Sequence, residues 1–534
     1  MKKNHLQFIL YCVFPLFFFS NCNAPQTASS SIPKNSIEAK TLGMEKMEGY
    51  FPFYWDKKEG KIHLEINQLG TEFLYVHSLA AGVGSNDIGL DRGQLGGQEV
   101  VKFVRVGPKV LMVQPNYRYR AESNNQDEKQ SIEEAFAQSV LWGFEVSAET
   151  NERILVDASS FFLRDAHGVA ETLQRTKQGS YSLDGSRSAF YLPRTKNFPE
   201  NSEFEATLTF VGKPQGGYIR AVTPSPESVT VRQHHSFVKL PDGGYQPRRF
   251  DPRSGYFSMS YYDYATPIDQ SLQKQFIYRH RLKKKDPLAD MSEAVEPIVY
   301  YLDRGTPEPI RSALLDGANW WNEAFEAAGY KDAFRVEIFP EGADPMDVRY
   351  NLIQWVHRAT RGWSYGGSVS DPRTGEIIKG HVSLGSLRVR QDFLIAQGLI
   401  APYEEGKTVS KEMQEMALAR LRQLSAHEVG HTLGLAHNFA ASGNNRASVM
   451  DYPHPYVTLT ETGDLDFSQA YDVGIGEWDK RAIVYGYQDF PEGTNGLKQI
   501  IVETLDMGFG YMSDSDARSF GSAHPNAHLW DNGE

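Results

Sequence analysis

Thiols are almost missing from this chain. Its 534 residues hold two cysteines, Cys12 and Cys22, both close to the N-terminus. The rest of the chain therefore has no disulfide, no cysteine nucleophile and no thiolate metal ligand, and its stability must come from core packing. Positive charge is also short. Lys and Arg number 55 against 67 Asp and Glu, for a formal net charge of −12, which disfavours a nucleic-acid partner. The one basic run, Arg279-His280-Arg281-Leu282-Lys283-Lys284-Lys285, ends at Asp286-Pro287 and reads as a solvated linker or strand end. A glycine-rich region covers Gly82-Val83-Gly84-Ser85-Asn86-Asp87 and Gly89 to Gly97. It lacks the Lys-Ser/Thr ending of a phosphate-binding loop, so it reads as turns.

The N-terminal apolar run, Phe8 to Phe19, is too short to span a bilayer. Behind Lys2 and Lys3 it suits the core of a signal peptide, expected over residues 1–21. Ser20-Asn21-Cys22 follows. Cys22 there resembles the lipidated cysteine of a bacterial lipoprotein, whereas Asn21 departs from the usual small residue. Lipidation at Cys22 and ordinary cleavage nearby both fit. The expected location is outside the cytoplasm, either as a cell-envelope lipoprotein in outer membrane or periplasm or as a secreted protein. Residues 22–44, rich in Ser, Ala, Pro, Gln and Thr, read as a flexible tether, with a cleaved pro-segment as the rival reading.

The composition, 40% hydrophobic and 12% aromatic, suits large packed cores, and the length allows about two to four domains. From Gly49 to about Pro267 the texture is that of β-structure. Lys61 to Ile66 alternates like a half-buried strand. Val100–Val106, Lys109–Val113, Arg153–Val156 and Glu205–Val211 are further strands, and Ser131–Leu141 is an expected helix. Adjacent His234 and His235 would point to opposite faces of a strand and could not easily share a metal. No catalytic constellation is visible before residue 290.

Helix and strand then alternate. Glu296–Leu302 is a strand, and Thr306 is an expected helix cap with Pro307 at the first helical position. Ile310, Leu314, Ala318, Trp321, Phe325 and Ala328 form that helix's buried stripe, which Gly329 ends. Phe334–Phe339 and Val348–Val356 are strands. Gly366–Val369 and Ile377–Leu384 make a hairpin, and helices are expected around Leu387–Gly398 and Ser410–Leu435.

The last of these helices carries His427-Glu428-Val429-Gly430-His431-Thr432-Leu433-Gly434-Leu435-Ala436-His437, an H-E-x-x-H-x-x-G-x-x-H run. Histidines four apart project from one helical face and can grip one zinc ion. Glu428 beside the first can reach a water on that metal. Gly434 can leave the helix with positive φ, letting the chain turn back and offer His437 as a third ligand. Three histidines leave an open position, as a catalytic zinc requires.

This motif, followed by Ser448-Val449-Met450-Asp451-Tyr452, resembles the metzincin metallopeptidases, in which a methionine turn lies beneath the zinc site. Tyr50-Phe51-Pro52-Phe53-Tyr54-Trp55, Gly84 to Gly93, Val231 to Phe237 and His437-Asn438-Phe439-Ala440-Ala441-Ser442 narrow the match. They resemble the bacterial zinc-dependent metalloproteases that carry a DUF5117 domain before a DUF4953 metzincin domain. The resemblance implies an α+β chain: a mainly-β N-terminal domain over 45–270, then a metzincin-like α/β zinc-peptidase domain over 271–490. The second would have a twisted mixed sheet, a zinc helix and a Met-turn. Residues 491–534 would start a C-terminal region that is helical in relatives, and a truncation within it is expected.

The resemblance implies a zinc metalloendopeptidase acting on protein or peptide substrates. Zn2+ would be held by His427, His431 and His437. Glu428 would be the general base, Tyr452 would stabilise the oxyanion or serve as a core tyrosine, and Met450 would support the site from below. Asn438 matches none of the usual metzincin types at its position, so specificity cannot be borrowed. The edge of the Gly366–Leu384 hairpin is the candidate for pairing with substrate backbone. Asp451 and Asp479 could be structural partners of the site or support its ligands. A zinc hydrolase of a non-protein amide, and a non-catalytic surface binding protein with a vestigial zinc site, remain alternatives. The cysteine count excludes latency through a thiol on the metal, apart from Cys22.

Overall fold

The computed structural model describes residues 33, 35–360, 362–400, 411–441, 443–491 and 494–517. The expected signal peptide, the lipidation site Cys22 and most of the tether lie outside them. Among the described residues, no helix is long and apolar enough to cross a membrane.

The architecture is α+β with a mainly-β N-terminal region. Thirteen strands between Glu45 and Lys239 pair into one antiparallel sheet. Aromatic side chains dominate the core it shares: Phe51, Phe73, Phe103, Phe161, Phe204 and Phe237 are all buried in one cluster. Many of these rings meet edge to face, the arrangement their quadrupoles favour.

Several sequence expectations change here. Lys61–Ile66 is not half-buried, since His63 and Glu65 are buried along with the apolar residues between them. The reason lies in the stretch expected to be tether. Residues Ile37–Lys40 form a short helix capped by Ser36, and Ile37 packs with Tyr54, Ala148 and Leu155. Tyr54 pairs with His63 and Leu155 with Glu65, so the segment covers the polar face of that strand. Glu65 is satisfied there by the Tyr54 hydroxyl at 2.7 Å and by Arg153 at 3.1 Å. The helix expected over Ser131–Leu141 runs instead over Gln126–Ala135, because Asn125 caps it by accepting from the Asp127 amide. Ser139–Thr150 is a strand, held in register against Lys109–Gln114.

The second half is built on a six-stranded sheet. Arg279–His280, Glu376–Gly385, Asn351–Val356, Ile298–Leu302 and Phe334–Ile338 lie side by side, all parallel. Tyr365–Ser370 adds an antiparallel strand to Glu376–Gly385, making the expected hairpin. Helices Ile310–Asn319, Trp321–Ala327 and Lys411–Thr432 share a core with this sheet. Trp321 donates from Nε1 to the Ala426 carbonyl at 2.8 Å, and Ser425 donates to the Leu314 carbonyl at 2.7 Å. Thr306 does not cap the first helix, which begins at Ile310 after Pro309. Thr306 is buried, and its carbonyl accepts from Arg311.

Leu74, Val76, Val100 and Val238 of the β-rich half pack against Val348 and Val369 of the second. The glycine-rich loop braces the same junction. Asp91 accepts from Arg358 at 2.7 Å, with both side chains almost fully buried, and Asp87 accepts from Thr360. Residues beyond the motif return to the second core through helices Glu477–Tyr487 and Gly496–Asp506.

Candidate metal centre

The long helix Lys411–Thr432 delivers His427 and His431 one turn apart on a single face, with ring centroids 4.8 Å apart. It stops because Gly434 takes φ +103°, and a Cβ there would run into the Tyr278 carbonyl oxygen. The chain then brings His437 back toward both. The three imidazoles offer ligand atoms that all lie within 4.8 Å of one another.

The other nitrogen of each ring explains the convergence. His427 Nδ1 lies 2.8 Å from the Val449 carbonyl, His431 Nδ1 2.8 Å from the Leu435 carbonyl, and His437 Nδ1 2.8 Å from an Asp514 carboxylate oxygen. Acceptors at all three Nδ1 positions place the protons there and leave each Nε2 with its lone pair. Burial, helped by the neighbouring imidazoles, holds His427 well below its ordinary pKa and lowers His431 to about 3. Neutral imidazoles with aligned Nε2 lone pairs suit a zinc ion, and a three-nitrogen set leaves room for a fourth ligand.

Glu428 is 4% exposed. Burial pushes its carboxyl up to about 8, against the pull of Arg420, Arg388 and the nearby Gly366 amide. Gly366 belongs to the hairpin strand, and a Cβ on it would collide with the Glu428 carbonyl oxygen. Strand and helix therefore touch at the glutamate. The Tyr452 hydroxyl lies 2.8 Å from His437 Nε2, at the mouth of the same cluster.

Met450 is fully buried beneath the helix, where a Cβ on Gly430 would strike its sulfur. Asp479, fully buried at the start of helix Glu477–Tyr487, accepts from Ser448 Oγ at 2.6 Å, the Val449 amide at 2.8 Å and the Gly476 amide at 3.0 Å. It pins the turn whose Val449 carbonyl orients His427, so its role is to hold that support in place. Gln423 donates to the same carbonyl at 2.8 Å. Asp451 accepts from the Tyr452 amide at 2.7 Å. Asn438 braces the far side. Its amide donates to the Met450 carbonyl, and its side chain bonds Gly510, Ala440 and Met512.

Asp514 and Gln423 were not picked out from the sequence, and Gly366 was named only as the first residue of the candidate edge hairpin. Asp514 stands in a Ser-Asp-Ser-Asp stretch with no periodicity to mark it. The His437 that it orients is 77 residues away.

Comparison with family models gives three matches. A model described as Met-zincin (DUF4953) covers residues 409–534. Two domains of unknown function precede it, DUF5117 over 93–285 and DUF5118 over 39–82. The chain belongs to this metzincin-type family. The match supports a metalloprotease-like hydrolase with a zinc-type histidine site. DUF5118 was not anticipated, and it begins within the stretch read as tether. No curated protein and no solved structure matches the metzincin-type chain.

Proposed function

We propose that this chain is a zinc metallopeptidase that hydrolyses peptide bonds. The observation that carries the reading is the convergence of three Nδ1-anchored histidines beside a buried glutamate. His427, His431 and His437 would hold the zinc, which when bound polarises a carbonyl and acidifies water. Glu428 takes the proton of the attacking water on a carboxylate oxygen and hands it to the leaving amide nitrogen. The Tyr452 hydroxyl donates to the oxyanion that develops on the substrate carbonyl. Met450, Asp479 and Asn438 hold the floor of the site, and Asp514 fixes the third ligand.

The test is to measure zinc per chain and to compare peptide-library digestion by the wild type and by Glu428→Ala. Zinc in both proteins and cleavage by the wild type alone is the expected result. Equal cleavage by both would overturn the mechanism. Zinc without peptide cleavage would favour a non-protein amide as substrate.

We propose further that the enzyme works outside the cytoplasm, exported on residues 1–21 and anchored in the cell envelope through Cys22. Metabolic labelling with a radioactive fatty acid, lost in Cys22→Ser, would support the anchor. Equal label in both proteins would refute it.

A further inference from the structure

The hairpin strand Tyr365–Ser370 has one side paired to Glu376–Gly385. Its other side leads away from Glu428, whose carbonyl oxygen a Cβ on Gly366 would strike. Backbone groups of Gly366, Ser368 and Ser370 share this outer side, because alternate residues of a strand point their N–H and C=O the same way. An extended peptide could pair here. At the far end the place is already taken. Gln98 of the β-rich half donates from Nε2 to the Ser368 carbonyl at 2.7 Å, and its Oε1 accepts from the Ser370 amide at 3.0 Å. A side-chain amide making both bonds imitates the peptide group of a neighbouring strand.

The block is backed by more than one side chain. Leu95, at the start of Gln98's strand, approaches Gly367. Arg120 donates to the carbonyls of Pro372 and Arg373 in the hairpin turn, and Arg373 is paired to Glu72 at 3.0 Å. The β-rich half thus grips the hairpin from Ser368 to its tip. Two residues of strand, about 7 Å, separate Gly366 from Ser368.

We propose that the β-rich half closes the acyl side of the substrate cleft at Gln98, so that the enzyme cleaves peptides within about three residues of their N-terminus. The proposal rests on the peptidase reading above. A peptide bound antiparallel, the slightly more stable pairing, runs its N-terminus toward Ser370. Only the residues between the scissile bond and Gln98 find edge backbone to bond. A polar cavity of about 690 Å³ opens past that stop, lined in part by Gln98, Gln114, Asn116, Ser260 and Tyr262. Its lining includes Arg118 and no Asp or Glu, so a free amino terminus passing the stop would find a cation and no carboxylate to pair with.

The test uses a nested set of peptides that share one cleavable sequence and have two, four, six or eight residues before the scissile bond. Products are mapped by mass spectrometry. Binding of the same peptides to zinc-loaded Glu428→Ala is read by fluorescence anisotropy. The expected result is a fall of at least tenfold in kcat/KM and in affinity between two and six residues. Gln98→Ala should narrow that ratio by about tenfold, and Gln98→Asn, too short to bridge both serines, should act in the same direction. Equal cleavage and binding at every length in the wild type would overturn the closed cleft whatever the variants do. A gain in Gln98→Ala that is the same at all lengths would also overturn it, because the side chain would then be a displaceable latch. If no peptide of any length is cut, and Glu428→Ala behaves like the wild type, it is the peptidase reading that has failed.

Discussion

Two sets of clustered histidines can be compared within this one chain. His234 and His235 sit side by side in the β-rich half, and His427, His431 and His437 gather in the second half. In the first set both ring nitrogens are spent inside the protein. His234 bonds Glu203 with one nitrogen and Glu205 with the other. His235 lies between the Tyr75 hydroxyl at 2.8 Å and the Phe162 carbonyl at 3.0 Å. In the second set one nitrogen is held and the other is aimed at a common point. Burial alone therefore does not mark a metal site. What marks it is three ring nitrogens turned to one point while the opposite nitrogen of each ring is fixed by an acceptor.

The charge states differ as well. Burial works against an imidazolium at His234, yet the Glu203 and Glu205 carboxylates outweigh it and raise the group to about 9. His235 has no such partner, and burial with Arg164 nearby keeps it neutral. The first pair thus makes a structural ion pair and a neutral hydrogen-bonded ring. In the second set, burial keeps His427 and His431 neutral.

The largest effect that would sharpen this contrast is at Glu428. Glu428→Ala should lower kcat/KM by about 10²–10⁴-fold while zinc per chain and the melting temperature stay as in the wild type. Next comes the partner of His234. Glu203→Gln removes one member of a buried charged pair and should destabilise the fold by about 3–5 kcal/mol in denaturant melts, with zinc per chain unchanged. Zinc loss there would erase the distinction between the two sets. A pH effect follows from the same pair. A histidine raised to about 9 from an ordinary 6.5 stabilises the fold fully below pH 6.5, and that stabilisation is lost as pH rises through 9. Its size is at most about 3 kcal/mol, and His234→Gln should flatten this part of the stability profile. The smallest effect is expected at Asp514. Asp514→Ala leaves the ligands intact but frees the His437 ring, and should weaken zinc binding by about 10–100-fold in a competition titration with a chelator. An unchanged affinity would mean that the ring is held by its packing against Phe439 and Tyr452 alone.

The sequence carried the second set plainly, and of the first it carried that the two rings point to opposite faces of a strand and do not share a metal. Spacing by four on a helix, then a glycine and a third histidine, is geometry written in residue order. The alternation of strands and helices before it was legible for the same reason. Groups that act across long separations were not. Asp479 and Asp514 each reach the site from another element, and neither had a local pattern that assigned its role. Ile37–Lys40 was misread as tether because one helical turn has too few residues to show a period. Its burial depends on a face of Lys61–Ile66 that looked solvent-bound when read alone. Gln98 was legible only as one residue at the end of a glycine-rich stretch.

The buried pair of Asp91 and Arg358 reaches across the junction, and it bears on how the chain matures. Neither half can be completed on its own. A fragment ending near residue 270 would lack Arg358, the cation that pairs with the Asp91 carboxylate. The complementary fragment would strand a guanidinium. Both halves should therefore lose structure in one cooperative transition, and no assembled cleft should exist until residue 358 has been synthesised and has docked.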